Sequence, residues 1–162
     1  GYATQALFLD ADGDGDLDLY LQSHSATTER QIGNASQRTV RNPRTGGRLY
    51  RNDGGRFTDV SARAGIHASS EGFGLGVVAS DLDGDGCLDL YVANDFQEDD
   101  YLYRSRCDGT YAEVGGRAFG HTSRFSMGVD AGDVDGDLRP DLFVADMLPD
   151  RQAIYKTSAS YE

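Results

Sequence analysis

Aspartates recur at fixed spacing in three short segments of this 162-residue chain. The first segment reads Asp10-Ala-Asp-Gly-Asp-Gly-Asp-Leu-Asp18, and a closely similar order returns at 81–89 and 133–141. Carboxylates at positions 1, 3, 5 and 9 of such a loop can turn their oxygens toward one centre, which suits a hard divalent cation. The pattern therefore predicts three calcium loops, with side-chain ligands Asp10, Asp12, Asp14 and Asp18; Asp81, Asp83, Asp85 and Asp89; and Asp133, Asp135, Asp137 and Asp141.

Carboxylates crowded in this way repel one another. Two unit charges about 4 Å apart interact by roughly 4 kcal/mol at the effective dielectric of a protein surface, so the loops need a cation or must hold their carboxylates apart. The alternative is three solvated turns, because Asp and Gly are both favoured in turns for backbone reasons. Three copies in register favour metal binding.

The loops are not those of an EF-hand. An EF-hand carries a bidentate glutamate at its twelfth position and is flanked by helices, whereas the twelfth residues here are Leu21, Val92 and Val144. A short apolar run follows each loop and begins beside its ninth residue, which is typical of a β-strand. The loops are therefore predicted to join strand to strand.

Further strands are predicted before and after each loop. The segments 73–80 and 125–132 share an aromatic first residue and a glycine at the fourth place. In the first two repeats, Leu-Tyr-Arg segments at 49–51 and 102–104 lead into glycine-containing turns that favour hairpins. Strands at 57–60 and 111–114 would then complete a repeat of four antiparallel strands.

Four-stranded repeats of this kind fit the blades of a β-propeller, so the predicted fold class is all-β, a partial propeller. The predicted boundaries are blade 1 at about 1–62, blade 2 at about 72–116, half of blade 3 at about 124–148 and a tail at 149–162. Because propellers typically have 4 to 8 blades, we expect the chain to be a fragment of a longer one.

Blade 1 is predicted to contain an insertion at 23–48, which makes the first repeat longer than the second. The insertion is rich in Ser, Thr, Asn, Gly and Arg and poor in apolar residues, so we expect a surface loop. It serves either as a spacer or in binding. The basic patch that it carries consists of Arg30, Arg38, Arg41, Arg44 and Arg48.

The loops, followed by Leu-Tyr and preceded by a glycine-punctuated strand, resemble the FG-GAP or VCBS repeat of the integrin α-subunit propeller. The segments 49–57, 120–128 and 146–149 are more similar still to bacterial relatives of cartilage acidic protein. In that family, positions 1, 3, 5 and 9 ligate calcium by side chain and position 7 by its backbone carbonyl. The resemblance thus implies carbonyl ligands at Asp16, Cys87 and Arg139.

The third loop departs from the pattern at its sixth position. Leu138 stands there, where the first two loops have Gly15 and Gly86. If this position needs a left-handed backbone, a non-glycine residue costs roughly 1 to 2 kcal/mol. We therefore expect the third calcium site to be the weakest.

The chain is strongly acidic, with a formal net charge of −12. Such a surface is poorly suited to nucleic acid or to anionic membranes, and no stretch is apolar enough to cross a bilayer. The partners expected are calcium, about three ions, together with a protein or glycan ligand and the rest of the propeller in the parent chain.

Two cysteines, Cys87 in the second loop and Cys107 in the following hairpin, are close enough in the predicted blade for a disulfide. The sequence leaves open whether they form it. A disulfide would require an oxidising compartment, which agrees with an extracellular, periplasmic or cell-surface location.

No catalytic signature is present: the three histidines, His24, His67 and His121, belong to no zinc motif, and neither a nucleophile elbow nor a phosphate loop occurs. The sequence therefore predicts a non-catalytic calcium-binding module that mediates binding or adhesion outside the cell. The alternative is the propeller portion of a secreted carbohydrate-active enzyme whose catalytic residues lie elsewhere.

Overall fold

The computed structural model describes residues 2–25, 41–42, 44–70, 72–96, 98–123 and 125–147, and nearly all of their regular structure is β-strand. The all-β prediction is confirmed. The predicted tail, 149–162, lies outside the described residues. In chain order the elements are β1 (Tyr2–Leu9), β2 (Asp18–His24), β3 (Arg48–Asp53), β4 (Arg56–Asp59), β5 (Gly74–Ser80), β6 (Asp89–Asn94), β7 (Tyr101–Ser105), β8 (Tyr111–Glu113), α1 (Gly115–Ala118), β9 (Ser126–Gly132) and β10 (Asp141–Asp146).

The strands form three antiparallel sheets that follow the repeats of the sequence. The first sheet has the order β1-β2-β3-β4, the second β5-β6-β7-β8, and the third contains β9 and β10. Each Asp-rich loop joins the first and second strands of its sheet. The predicted unit of strand, loop and strand, followed by a hairpin, is thus present in the first two sheets.

The segment between β2 and β3 is shorter than the insertion predicted at 23–48, because β2 runs to His24 and β3 begins at Arg48. Its residues 26–40 and 43 lie outside the described part of the chain, including Arg30 and Arg38. The described end is exposed at Arg41 and Arg44, as a surface loop would be, but buried at 45–47. Thr45 is 4 % exposed and donates a hydrogen bond to Ser69 O at 2.8 Å, so this end packs against the approach to β5.

Strand β6 shows why the sheets stack. Its residues alternate between two faces, as in any strand: Leu90 and Val92 belong to the core between the first and second sheets, while Tyr91 and Ala93 belong to the core facing the third sheet. All six residues of the strand are buried. A strand covered on both faces needs a nearly continuous apolar run, which β6 has.

Neighbouring sheets meet through their first strands. Gln5 of β1 pairs with the backbone of β5, donating to Val77 O at 2.8 Å and accepting from Val77 N at 2.9 Å. In the next pair, a Cβ on Gly76 would lie 3.2 Å from the Cα of Gly128. The glycine at the fourth place of the repeat therefore permits close approach of β5 and β9.

Several aromatic side chains of the strands are buried. Tyr20, Tyr91, Tyr103 and Tyr111 are buried in the two cores. Phe143 is an exception at 69 % exposure, because it points away from the face of β10 that packs on the second sheet. In the described part of the chain, no helix is long and apolar enough to span a bilayer.

Candidate metal centres

The first aspartate of each loop fixes the loop conformation. Asp10 accepts hydrogen bonds from Gly13 N at 2.8 Å and from Gly15 N at 3.1 Å, one on each carboxylate oxygen. The other loops repeat this pattern, and a chain reversed so tightly needs positive φ at the fourth and sixth positions. The equivalent donors are Gly84 and Gly86 to Asp81, and Gly136 and Leu138 to Asp133.

Three of the four predicted side-chain ligands of each loop come together, with one ligand oxygen of each within 4.8 Å of the other two. The fourth predicted side chains, Asp14, Asp89 and Asp137, lie outside these groups, and their role as ligands remains a prediction. The groups are Asp10, Asp12 and Asp18; Asp81, Asp83 and Asp85; and Asp133, Asp135 and Asp141.

The ninth residue fastens each of the first two loops to the third strand of its sheet. Asp18 accepts hydrogen bonds from Ala11 N at 3.0 Å and from Asn52 N at 2.8 Å, and Asp89 accepts one from Ser105 N at 2.8 Å. Both aspartates are buried. Burial raises the pKa of Asp18, and the two backbone N–H groups oppose that rise.

The seventh residue fastens the same loops to the hairpin between the third and fourth strands. In the first sheet, Asp16 accepts a hydrogen bond from Gly54 N at 2.9 Å. In the second sheet, Cys87 and Cys107 form a disulfide, which the sequence had left open. At the seventh position, the loop and the hairpin are therefore joined by a hydrogen bond in the first sheet and by a disulfide in the second.

The hairpin of the second sheet also touches the loop of the first. A Cβ on Gly109 would lie 3.1 Å from the Cβ of Asp12. Tyr111, which follows in β8, is buried close to Asp18 and Asp89, and its pKa is raised chiefly by burial and then by these two carboxylates. The first and second loops thus share one supporting hairpin.

Unsatisfied carboxylate oxygens are compatible with a cation. Among the described residues, Asp12 Oδ1 and Asp89 Oδ2 are shielded from solvent and accept no hydrogen bond of normal geometry. Oxygen donors gathered at this density suit a hard cation such as calcium. A further group, Asp85 with Cys87 and Cys107, is not a metal site because its two sulfurs are bonded to each other.

Comparison with known families gives two matches to the FG-GAP-like repeat, over residues 36–92 and 81–144. The chain belongs to the FG-GAP-like repeat family. The matches together cover more than half of the sequence and include the second and third loops. No curated protein matches the chain. The finer similarity to bacterial relatives of cartilage acidic protein remains a prediction.

The first loop, at 10–18, precedes the residues matched to the FG-GAP-like repeat. It nevertheless has the same hydrogen bonds and the same positive-φ positions as the other two loops. The structure therefore shows the same loop conformation in a part of the chain that the family match does not reach.

An arginine lies beside the second FG-GAP loop. Arg104 Nη1 is 2.9 Å from Asp83 Oδ2. The equivalent arginine of the first sheet, Arg51, instead pairs with Asp53 at 2.9 Å. A guanidinium in contact with a ligand carboxylate opposes a bound cation by charge.

The substitution R104Q is expected to strengthen calcium binding by the second loop by about threefold to tenfold, since it removes this nearby positive charge. Calcium titration at low and high salt measures the effect, which should shrink as salt screens it. R106Q, at an exposed residue of the hairpin, is the matched control. Weaker binding by R104Q would show instead that Arg104 is needed to position Asp83.

The sixth position of the third loop does have a left-handed backbone. Leu138 has φ of 68°, where Gly15 and Gly86 have φ of 90°. Its side chain is 92 % exposed, so no packing offsets the cost of this conformation.

The substitution L138G should therefore raise the calcium affinity of the third loop several-fold and stabilise the protein by up to about 1 kcal/mol. L138A removes most of the side chain but keeps Cβ, so it should give no such gain. Calcium titration and urea unfolding of both variants measure these effects. An equal gain from L138A would assign the benefit to the loss of an exposed apolar side chain.

Proposed function

We propose that this chain is a non-catalytic, calcium-stabilised binding module of an extracellular, periplasmic or cell-surface protein. The supporting observation is that three loops of one conformation each bring three aspartate oxygens together. In each loop, one ion would be held by the aspartates at positions 1, 3, 5 and 9 and by the carbonyl of Asp16, Cys87 or Arg139. The ion would compensate the clustered charge and stiffen the connection between two strands.

We also infer that the three sheets are successive blades of a β-propeller, completed by the rest of the parent chain. The stacking through first strands supports this arrangement. Phe8 is 57 % exposed and Phe143 is 69 % exposed, and each points away from the core that its own strand helps to form. Apolar side chains on these outer faces are suited to packing against further blades.

The proposed location follows from the disulfide and from the family. A structural disulfide persists in an oxidising compartment, and FG-GAP-like repeats are usually found in extracellular or surface proteins. The acidic chain disfavours nucleic acid and anionic lipid as partners. A protein or glycan ligand remains the expected partner. No grouping among the described residues favours the alternative of a secreted carbohydrate-active enzyme.

The first test is the melting temperature with and without calcium. Extracellular modules bind calcium with dissociation constants of about 10⁻⁴ to 10⁻³ M, so near 1 mM calcium each site adds roughly 0.4 to 1.4 kcal/mol. Three sites should raise the melting temperature by about 3 to 15 °C over protein in a chelator. Magnesium at the same concentration is the control, and an equal rise with magnesium would contradict a calcium-selective module.

A further inference from the structure

A cavity of about 570 Å³ opens beside β3, β4 and the turn that follows β4. Arg41, Arg48, Arg51 and Arg63 line it. The whole chain has 15 lysines and arginines against 27 acidic residues, so four arginines on one cavity are a local concentration of basic residues. Arg51 is paired with Asp53 at 2.9 Å, which leaves Arg41, Arg48 and Arg63 as the arginines that could attract an anion.

The arginines retain unused hydrogen-bond donors. Arg63 makes no hydrogen bond or ion pair with any described residue, and Arg48 makes one long hydrogen bond, 3.4 Å to Tyr50 Oη. Arg41 Nη1 donates to Ile66 O at 2.7 Å, which fixes the side chain but occupies one donor. A guanidinium carries five donors in all. Several therefore remain for a ligand.

The nearby aspartates explain the positions of only two of the four arginines. Arg51 and Arg63 also line a smaller cleft that contains Asp12 and Asp108, so they partly neutralise those carboxylates. Arg41 and Arg48 do not line that cleft. Their position in the cavity thus requires a different explanation.

The other lining groups narrow the chemistry of the ligand. Thr58 and Asn42 add a hydroxyl and an amide group to the lining, and such groups can bond to sugar hydroxyls. The hydroxyl of Ser61 is already used, because it donates to Asp59 Oδ1 at 2.6 Å and accepts from Leu49 N at 3.0 Å. None of the described residues that line the cavity is aromatic, so these residues offer no platform for stacking a nucleobase. Asp59 also lines the cavity, and its carboxylate accepts hydrogen bonds from Ser61 N at 3.0 Å and from Ser61 Oγ at 2.6 Å.

We propose that this cavity binds an acidic oligosaccharide that carries sulfate or carboxylate groups on a polyhydroxyl chain. The guanidinium fork pairs with two oxygens of such groups at once, and the volume is within the usual range of ligand sites, about 300 to 1,000 Å³. The proposal gives a ligand class to the binding module proposed above. It rests on that proposed function only in taking the chain to be a binding module. None of the described residues that line the cavity belongs to a metal loop, although Arg51 and Arg63 also line the cleft that contains Asp12.

The test is fluorescence anisotropy with a labelled heparin hexasaccharide, in parallel with an oligogalacturonate of equal length. The first probe carries sulfate and the second only carboxylate, so the two arms distinguish the anionic groups, and a neutral isomaltohexaose is the control. We expect saturable binding of at least one acidic probe. R48Q/R63Q should weaken it about tenfold or more, while R56Q/R106Q, an equal loss of charge at exposed positions outside the cavity, should change it by less than about twofold.

An NMR titration of the wild-type protein tests the site without relying on variants that could misfold. Backbone amide NMR signals of Arg48, Thr58 and Ser61 should shift on titration with the acidic probe. Equal weakening by both double variants, shifts confined to other residues, or no binding by either acidic probe would overturn the proposal. If calcium still binds in that case, the proposed calcium module survives without this ligand. Probe binding in a protein that binds no calcium would support the cavity and contradict the metal loops.

Discussion

Replacing Asp100 by alanine is expected to lower the free energy of unfolding by about 3 to 5 kcal/mol. The carboxylate is 2 % exposed and accepts three hydrogen bonds, from Asn94 N at 2.6 Å, Tyr91 Oη at 2.7 Å and Ser126 Oγ at 2.7 Å. Ser126 belongs to the third sheet and the other two donors to the second. D100A would leave three buried donors without an acceptor at the junction of two sheets.

Urea unfolding measures this loss. D100N keeps one oxygen acceptor and should cost clearly less than D100A, while D130A, which removes an exposed carboxylate, should cost less than about 1 kcal/mol. Similar small losses for all three variants would mean that the Asp100 network contributes little to joining the sheets.

The pH dependence of Asp100 has a definite sign. Burial raises its pKa above the value in the unfolded chain, and the three hydrogen bonds only partly oppose the rise. The folded state therefore holds its proton more tightly, so the stability contributed by Asp100 falls as pH rises from about 4 through the raised pKa. Wild-type stability relative to D100N should fall over that range, and a constant difference would contradict the raised pKa.

Removing the disulfide should be the other large effect. Cys87 and Cys107 are 20 residues apart, and closing a loop of this length stabilises a protein by about 3 kcal/mol in the chain-entropy description. C87S/C107S should lose about that much in urea unfolding. Because Cys87 lies in the second loop and its hairpin touches Asp12 of the first, calcium binding by both loops should weaken as well.

Reduction provides the control for this prediction. A reducing agent should lower the stability of the wild-type protein to that of C87S/C107S and should leave the variant unchanged. Calcium binding by the third loop, which joins the strands of a different sheet, should be unaffected. A weakening of all three loops alike would point to general loosening of the fold rather than to local support by the hairpin.

The sequence predicted the strands and loops well because both have short-range causes. The spacing from Asp10 to Asp18 recurs twice, and the glycines of each loop report the positive φ that a tight reversal requires. The nearly continuous apolar run of β6 is typical of a strand that is buried on both faces. For the sixth position of the third loop, the sequence predicted a cost only if the backbone there is left-handed, and the structure gives Leu138 a φ of 68°.

The parts that the sequence did not predict depend on contacts between distant segments. Nothing near Asp100 in the chain indicates that Ser126 binds its carboxylate, and the ion pair of Arg104 with Asp83 depends on how a strand passes a loop. The arginine cavity likewise depends on distant segments, because Arg41 and Ala68 line it together with residues of the hairpin formed by β3 and β4. The presence of two cysteines in the sequence did not show whether they form a disulfide.

Calorimetric titration of calcium into chelator-stripped protein tests the central claim most directly. The account predicts saturable binding of about three ions, with two tighter than the third, and a loss of one tighter site in the variant D83N. L138G should bring the weakest site closer to the others without changing the number bound. Absence of saturable calcium binding, or heat reproduced by magnesium at the same concentrations, would contradict the assignment of these loops as calcium sites.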